Sequence, residues 1–258
     1  MDTAEAFYLP LGDDRWQPTV HTTGPWDARF QHGGPPSALL GREVERCSGR
    51  EDMVTSRVTI EILGPVPVAE LVLRSRVTRP GRSVELVEAV LSAAGRDVAR
   101  AQAWRVLRTS AHVPSQARPA PALPAGGALA PLGDWIDGYL SAVEWRFVAG
   151  AFAEVGPATA WARLRHRLVP EEEPTPLVRV LAVADSGNGV SSELPIKQWH
   201  FINPELTVHL HREAIGEWVC LDAATSISPG GSGLATSVLS DVEGPIGVGA
   251  QSLLVAPR

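Results

Sequence analysis

Strand-like runs of apolar and polar residues follow one another near 54–63, 68–79, 83–93 and 97–108. A second set falls near 201–211, 216–226, 233–241 and 246–256. A period of two is what a strand with one buried face writes into a sequence. RPGRS (79–83) and AAGRD (93–97) are turn signals between the runs, and no helical pattern interrupts them. Each set therefore reads as an antiparallel meander. Two shorter extended stretches precede each set, near 5–9 and 15–22 and then at VEWRFVAG (143–150) and ATAWARLRHRL (158–168). One helical pattern lies between. In the first, Leu40, Val44 and Cys47 recur at helical spacing from Ser37, behind Pro35 and Pro36, whose missing N–H groups suit a first turn. In the second, TPLVRVLAVADSGNGV (175–190) opens at Pro174 and Pro176 and closes at Gly187. It is apolar almost all round, which predicts a buried helix.

The two sets are related by a constant shift. Moved by 148, RVTIEILGPVPVAELVL (57–73) lies over ELTVHLHREAIGEWVCL (205–221), with Thr59 on Thr207, Ile60 on Val208 and Ile62 on Leu210. One extra turn residue later the shift is 149 and Gln102 falls on Gln251. Ser37 falls on Asp185 and Thr55 on Asn203. Three polar positions thus recur, and only the second copy has a carboxylate among them. Residues 109–133, rich in Pro and Ala and nearly uncharged, read as a stiff linker. The expected layout is a first unit at 1–108, the linker at 109–133 and a second unit at 134–258. Each unit is β-β-α-β-β-β-β, an α+β architecture with a buried helix wrapped by a curled antiparallel sheet.

Composition narrows the classes. The hydrophobic share of 44% over 258 residues supports a substantial core. A net charge of −6 argues against a general nucleic-acid or anionic-membrane surface. Of the 23 basic residues, 22 are Arg, a bias that fits genome composition or phosphate recognition at a few sites. Cys47 and Cys220 stand in no metal-like spacing, so no metal site is expected. The acidic start MDTAEAFYLP has no apolar signal core, and no apolar run approaches membrane-spanning length. A cytoplasmic protein without membrane insertion is the expectation.

Asp185 ends the apolar run LAVAD on a helix that should be buried. An unpaired carboxylate there is costly, so it needs partners. It is a candidate base or orienting group for a water, the alternative being a helix-end residue bonded to the SGNG turn. Gln251 shares a strand face with Gly247 and Gly249, which leave room for a ligand or for backbone. Asn203 precedes Pro204 and fits a site or a turn. His32, Gly33 and Gly34 stand at the start of the first helix, where unpaired N–H groups and the helix dipole suit an oxyanion. Arg79 and Arg82 flank a hairpin turn and are candidates for phosphate contacts, or are simply solvated. His209 and His211 lack a third ligand. There is no nucleophile elbow, and GPIGVGA leads into a strand, unlike a dinucleotide fingerprint.

FQHGGPPSALL, VADSGNG, NPELTVHLHR and GAQSLLV, in this order and spacing, resemble the acyl-CoA thioesterase II family. The resemblance covers nearly the whole chain outside the linker. It implies a double hot-dog fold and hydrolysis of fatty acyl-CoA thioesters by water attack, without a cofactor, in a homo-oligomer of double hot-dog chains. By position it assigns catalysis to Asp185, Asn203 and Gln251, with Asn203 where better-known members have Thr. His32, Gly33 and Gly34 would supply the oxyanion site, and Arg79 and Arg82 would meet CoA. Two rivals share the fold. An enoyl-CoA hydratase or dehydratase normally needs an Asp/His pair, and no His lies near Asp185 in sequence. A non-catalytic acyl-CoA binding protein would use the same polar residues only to hold its ligand.

Overall fold

A computed structural model describes residues 5–25, 27–111, 113, 118–125, 137–152 and 154–258. Strands β1 (Tyr8–Gly12) and β2 (Arg15–Pro18) form a hairpin, followed by a short turn of 3-10 helix at Val20–Thr22. The extended stretch expected to run to residue 22 stops at Pro18, because Thr19 turns the chain by accepting from the His21 N–H. Helix α1 (Gly34–Arg46) leads into β3 (Met53–Ile62), β4 (Leu71–Arg79), β5 (Val84–Ala93) and β6 (Arg96–Leu107). The predicted linker lies in part outside the described residues, and its described pieces contain no helix or strand.

The second half begins with a helical turn, α2 (Tyr139–Ala142), that the sequence pattern did not announce. Strands β7 (Val143–Ala149) and β8 (Ala158–Leu164) follow, then helices α3 (Pro176–Ala184) and α4 (Gly187–Val190). Where one strand was expected over 201–211 there are two, β9 (Trp199–Ile202) and β10 (Glu205–Leu210). The break falls at Asn203–Pro204, where proline has no N–H for the ladder. Its carbonyl instead accepts from the Ile62 N–H at 2.8 Å. Strands β11 (Val219–Ile227), β12 (Ser232–Asp241) and β13 (Gly244–Pro257) complete the chain.

The strands form one sheet in the order β1-β2-β4-β5-β6-β3-β10-β13-β12-β11-β8-β7, with β9 pairing β13. The named strands pair antiparallel, and the order ends at β1 and β7. The halves meet at β3 and β10, where Thr207 pairs with Thr59, the two positions that the 148-residue shift equates. Their hydroxyls are 3.2 Å apart.

Helices α1 and α3 lie side by side, α1 against β4, β5 and β6 and α3 against β8, β10 and β11. Gly41 allows the close approach: a Cβ there would stand 2.3 Å from Leu181 Cδ1. Leu177, Val178, Val180, Leu181 and Val183 of α3 are all buried. Each contributes about 1.5–3 kcal/mol by leaving water. The Thr175 hydroxyl caps α3 by accepting from the Val178 N–H and donates to Glu45 of α1 at 2.6 Å. Arg42 of α1 also grips Glu172 at 2.7 Å, so charged contacts fix the start of one helix beside the other.

Candidate active site

The pairing of the helices sets the start of α1 against the end of α3. Gly33 and Gly34 open α1, and Asp185 caps α3 with 4% of its surface exposed. At 33 a Cβ would stand 2.5 Å from Asp185 Oδ2, so a larger residue there displaces the carboxylate. At 34 a Cβ would meet the Ala182 carbonyl oxygen at 2.3 Å.

Two amides fix the carboxylate. Asn203 Nδ2 donates to Asp185 Oδ1 at 2.8 Å, from the gap between β9 and β10. Gln251 of β13 donates through Nε2 to the Asp185 carbonyl at 3.0 Å and to Oδ1 at 3.3 Å. Its Oε1 accepts from the Asn188 N–H at 3.0 Å, which determines the orientation of the amide. Asp185, Asn203 and Gln251, far apart in sequence, therefore form one hydrogen-bonded group.

His32 joins this group. Its Nδ1 lies 3.4 Å from Asp185 Oδ2 and accepts the Gly34 N–H at 3.0 Å. One nitrogen cannot accept from Gly34 and donate to Asp185 at once. Acceptance from Gly34 marks the neutral imidazole with its proton on Nε2. Burial pushes the His32 pKa down, and the Asp185 charge only partly opposes that. The expectation that no histidine stands near Asp185 holds along the chain and fails in space.

The oxyanion donors are fewer than a helix start normally offers. Pro35 and Pro36 carry no N–H, and the Ser37 N–H is taken by the Gly33 carbonyl at 3.1 Å. Gly34 donates to His32, which leaves the Gly33 N–H as the donor without a partner among the described residues. Ser37 is buried and its hydroxyl donates to the same Gly33 carbonyl at 2.7 Å.

Tyr139 is the residue that sequence reasoning missed. It is fully buried, stacks on His32 with centroids 3.9 Å apart, and donates to the Ala182 carbonyl at 2.7 Å. Its hydroxyl is also 2.9 Å from Ser186 Oγ, so one side chain braces both His32 and the end of α3. Burial raises its pKa strongly and keeps the phenol neutral. Its element is a single turn, too short to leave a periodic signal.

Of these groups, His32, Gly33, Ser37, Asp185, Ser186 and Asn203 border a cavity of about 320 Å³. The remainder of its lining is mostly apolar and includes Phe30, Ile60, Ile62, Ala99, Leu140, Phe152, Ile196 and Phe201. Near Thr55, the counterpart of Asn203, the described residues leave a void of about 10 Å³, lined by Leu177, Val180, Leu210 and Ala214 together with Glu45 and Glu213. Val180 there occupies the position that the shift equates with His32.

Arg79 and Arg82 are not brought to the cavity. Arg79 donates to the Val84 carbonyl at 2.6 Å and lies over Trp104, while the Arg82 carbonyl accepts from Arg50. The register Val84–Val106–Val54 puts their hairpin at the Val54 end of β3, and the cavity is at the Ile62 end. Eight residues of strand separate these by about 26 Å. Replacing both with Ala is expected to leave the affinity for free CoA unchanged by calorimetry. Among the described residues no cluster of three or more His, Cys, Asp or Glu is set to hold a metal ion, and no helix is long and apolar enough to cross a membrane.

The depressed pKa of His32 links stability to pH. The unfolded chain takes up a proton near the ordinary histidine value of about 6.5, before the folded one does. Stability conferred by the neutral buried ring is therefore complete above that value and is lost as pH falls below it, until the folded pKa is passed. His166, lowered by burial and by His21 and Arg165, acts with the same sign. The melting temperature is expected to fall between pH 7.5 and 5.5, with a shallower fall in His32→Asn.

Two family models divide the chain. The acyl-CoA thioesterase N-terminal domain matches residues 22–106, and the acyl-CoA thioesterase C-terminal domain matches residues 114–255. The chain belongs to the acyl-CoA thioesterase family. No curated protein matches it in sequence. A hot-dog-fold protein of unknown function from Alicyclobacillus acidocaldarius is similar, with 15% identity, a TM-score of 0.74, and 98% of this chain and 97% of that one covered. A Thermobifida fusca protein assigned as a thioesterase II has 16% identity and a TM-score of 0.74, over 98% and 96% of the two chains. Acyl-CoA thioesterase II TesB2 of Mycobacterium marinum has 14% identity and a TM-score of 0.69, over 97% and 95%. At these identities the likeness concerns the hot-dog fold.

Proposed function

We propose that this family member hydrolyses fatty acyl-CoA thioesters by direct water attack, in a double hot-dog built from units 1–108 and 134–258. The meeting of β3 and β10 at the equated residues Thr59 and Thr207 supports the two-unit reading. The observation that carries the functional reading is the placement of Asp185. A buried carboxylate from one half borders an apolar cavity, held by two amides, against the glycine start of the other half's helix.

Asp185 Oδ2 takes a proton from a water as the water oxygen bonds to the thioester carbon. The carbonyl electron pair moves onto oxygen and is held by the Gly33 N–H, joined by Gly34 when His32 releases it. Collapse re-forms the carbonyl, breaks the carbon–sulfur bond and expels the CoA thiolate, which takes the proton from Asp185. Asn203 and Gln251 keep the carboxylate aimed and take no proton themselves. Gln251→Ala should therefore cost about tenfold in kcat/KM, less than loss of the carboxylate, measured by thiol release. One site per chain is proposed, because the position equated with Asp185 is Ser37 and the void near Thr55, although Glu45 and Glu213 line it, holds only about 10 Å³.

The His32–Asp185 contact favours one second reading, addition of water to an enoyl thioester. A single assay separates the two. Hydrolysis of an acyl-CoA releases free thiol, whereas hydration of an enoyl-CoA changes the enoyl absorbance without thiol. Absence of both with retained acyl-CoA binding would leave a binding protein.

A further inference from the structure

We propose that a groove on the outer face of the sheet binds a small aromatic carboxylate. The groove lies toward the Val54 end of β3, opposite the cavity, and the proposal does not depend on the thioesterase reading. Its floor is one row of side chains paired across neighbouring strands. Trp104 of β6 pairs with Arg57 of β3, Arg57 with His209 of β10, and His209 with Val248 of β13. Val84, Val106 and His211 add to its walls. Successive residues of a strand face opposite sides, and the neighbours Ala103, Val58 and Val208 are buried in the core. The row therefore faces away from the helices. Arg57 owes its place to a bulge. Thr55 pairs with Arg105 and Arg57 with Trp104, so Ser56 is an extra residue in β3. Ser56 and Arg57 both line the groove, while Thr55 and Val58 on either side of them are buried. Bulges of this kind re-aim a side chain.

Arg57 is a half-buried cation without a counterpart. Its Nε is shut off from water with no hydrogen-bond partner, and among the described residues its guanidinium forms no ion pair. A charged group withdrawn from water in this way lacks the acceptor that such groups normally have. The carboxylates around the groove are already taken. Glu88, two residues along β5 from the partner of Trp104, meets Arg76 at 2.7 Å. Beyond His211, Glu213 meets Arg108 at 2.7 Å and Asp241 meets Arg212 at 2.6 Å. Glu85 is buried on the inner side of β5 and meets Arg105 at 3.2 Å. None of the described residues lining the groove is acidic. Arg79 adds a second positive charge 5.8 Å from the centre of the Trp104 ring.

The rest of the lining sets the body of the ligand. Val84 and Val248 are 37% and 48% exposed, on either side of the Trp104–Arg57–His209 row. Exposed apolar side chains flanking an unpaired guanidinium suit a flat hydrocarbon that carries a carboxylate at one end. Three strand spacings, about 14 Å, separate Trp104 from Val248, so a two-ring acid fits flat between them with its carboxylate on Arg57. The rings of His209 and His211 offer further N–H donors to the same carboxylate.

The test is titration of naphthoate into the wild-type chain, read by NMR at the indole N–H of Trp104, which Trp104→Phe identifies. Naphthamide, of the same shape without the charge, should bind at least about tenfold more weakly. Added salt should weaken the acid and leave the amide unchanged, because a charge pair near the surface is screened. Arg57→Gln should cost about tenfold in naphthoate affinity, with melting temperature and any thiol release as in wild type. Where that variant does not fold, the comparison of acid and amide on the wild-type chain decides. Equal affinity for acid and amide, or wild-type affinity in a folded Arg57→Gln chain, overturns the proposal. A response abolished by a saturating S-hexyl-CoA thioether would put the probe in the cavity and overturns it too. So does a dimer that Val248→Arg turns into a monomer, since a second copy would then cover the groove.

Discussion

Asp185→Asn is expected to lower thioester hydrolysis by at least about a hundredfold and to leave the fold intact, the usual scale for loss of an acid–base group. The structure explains both halves of that result. In the variant, the side-chain carbonyl oxygen in the place of Oδ1 still accepts from Asn203 Nδ2 and Gln251 Nε2. The bond from Gln251 to the backbone carbonyl of residue 185 does not involve the side chain at all. The new amide nitrogen would face His32 Nδ1, now 3.4 Å from Oδ2, whose single lone pair already accepts from the Gly34 N–H. The bonds from Asn203 and Gln251 thus survive, and a buried negative charge is removed, so the melting temperature should hold. What disappears is the proton acceptor. Steady-state thiol release, with thermal unfolding as the control, measures both. Wild-type turnover in a folded Asp185→Asn protein would move the base elsewhere, with His32 the nearest titratable group.

Much of the fold was legible because strands with one buried face announce themselves by period. β3 to β6 and β11 to β13 lie within a few residues of the expected runs. The 148-residue shift equates Thr59 with Thr207, and these two residues pair directly where the halves join. Asp185, Asn203 and Gln251 were found as polar residues at equated positions within apolar runs, and they form one bonded group.

What stayed hidden depends on packing between distant segments. His32 reaches Asp185 only because α1 and α3 lie together at Gly41 and Leu181, a geometry that no local pattern records. Tyr139 braces the same site from a helical turn four residues long. The hairpin of Arg79 and Arg82 stands apart from the cavity for the converse reason. Basic residues at a turn suggest phosphate, but strand register puts that turn at the wrong end of the sheet. Ser37 was expected to mark a silent counterpart of the Asp185 site. It lines the same cavity as Asp185, because the paired helices bring both positions to one side.

Gly33→Ala should be nearly as damaging to turnover as loss of the carboxylate, with a far smaller effect on folding. The Gly33 backbone, at φ −67° and ψ −21°, is in the right-handed helical region that alanine prefers. Alanine would even restrict the unfolded chain, an advantage of about 0.4–1 kcal/mol where the native backbone is compatible. The added Cβ, however, would stand 2.5 Å from Asp185 Oδ2 and 2.8 Å from both Cγ and Oδ1. Contacts this short require movement. The neighbour is the end of a side chain, so the carboxylate can turn away, at the expense of the bonds from Asn203 and Gln251. A displacement near 1 Å at the reacting group is enough to cost about a hundredfold in rate. Gly34→Ala gives the contrast, because its Cβ would meet the Ala182 carbonyl oxygen at 2.3 Å, and backbone of α3 cannot turn aside. That variant should lose stability first. Melting temperature and thiol release on the two proteins distinguish these outcomes. A folded Gly33→Ala chain with wild-type turnover would mean that the reacting carbon does not lie between Asp185 and the start of α1.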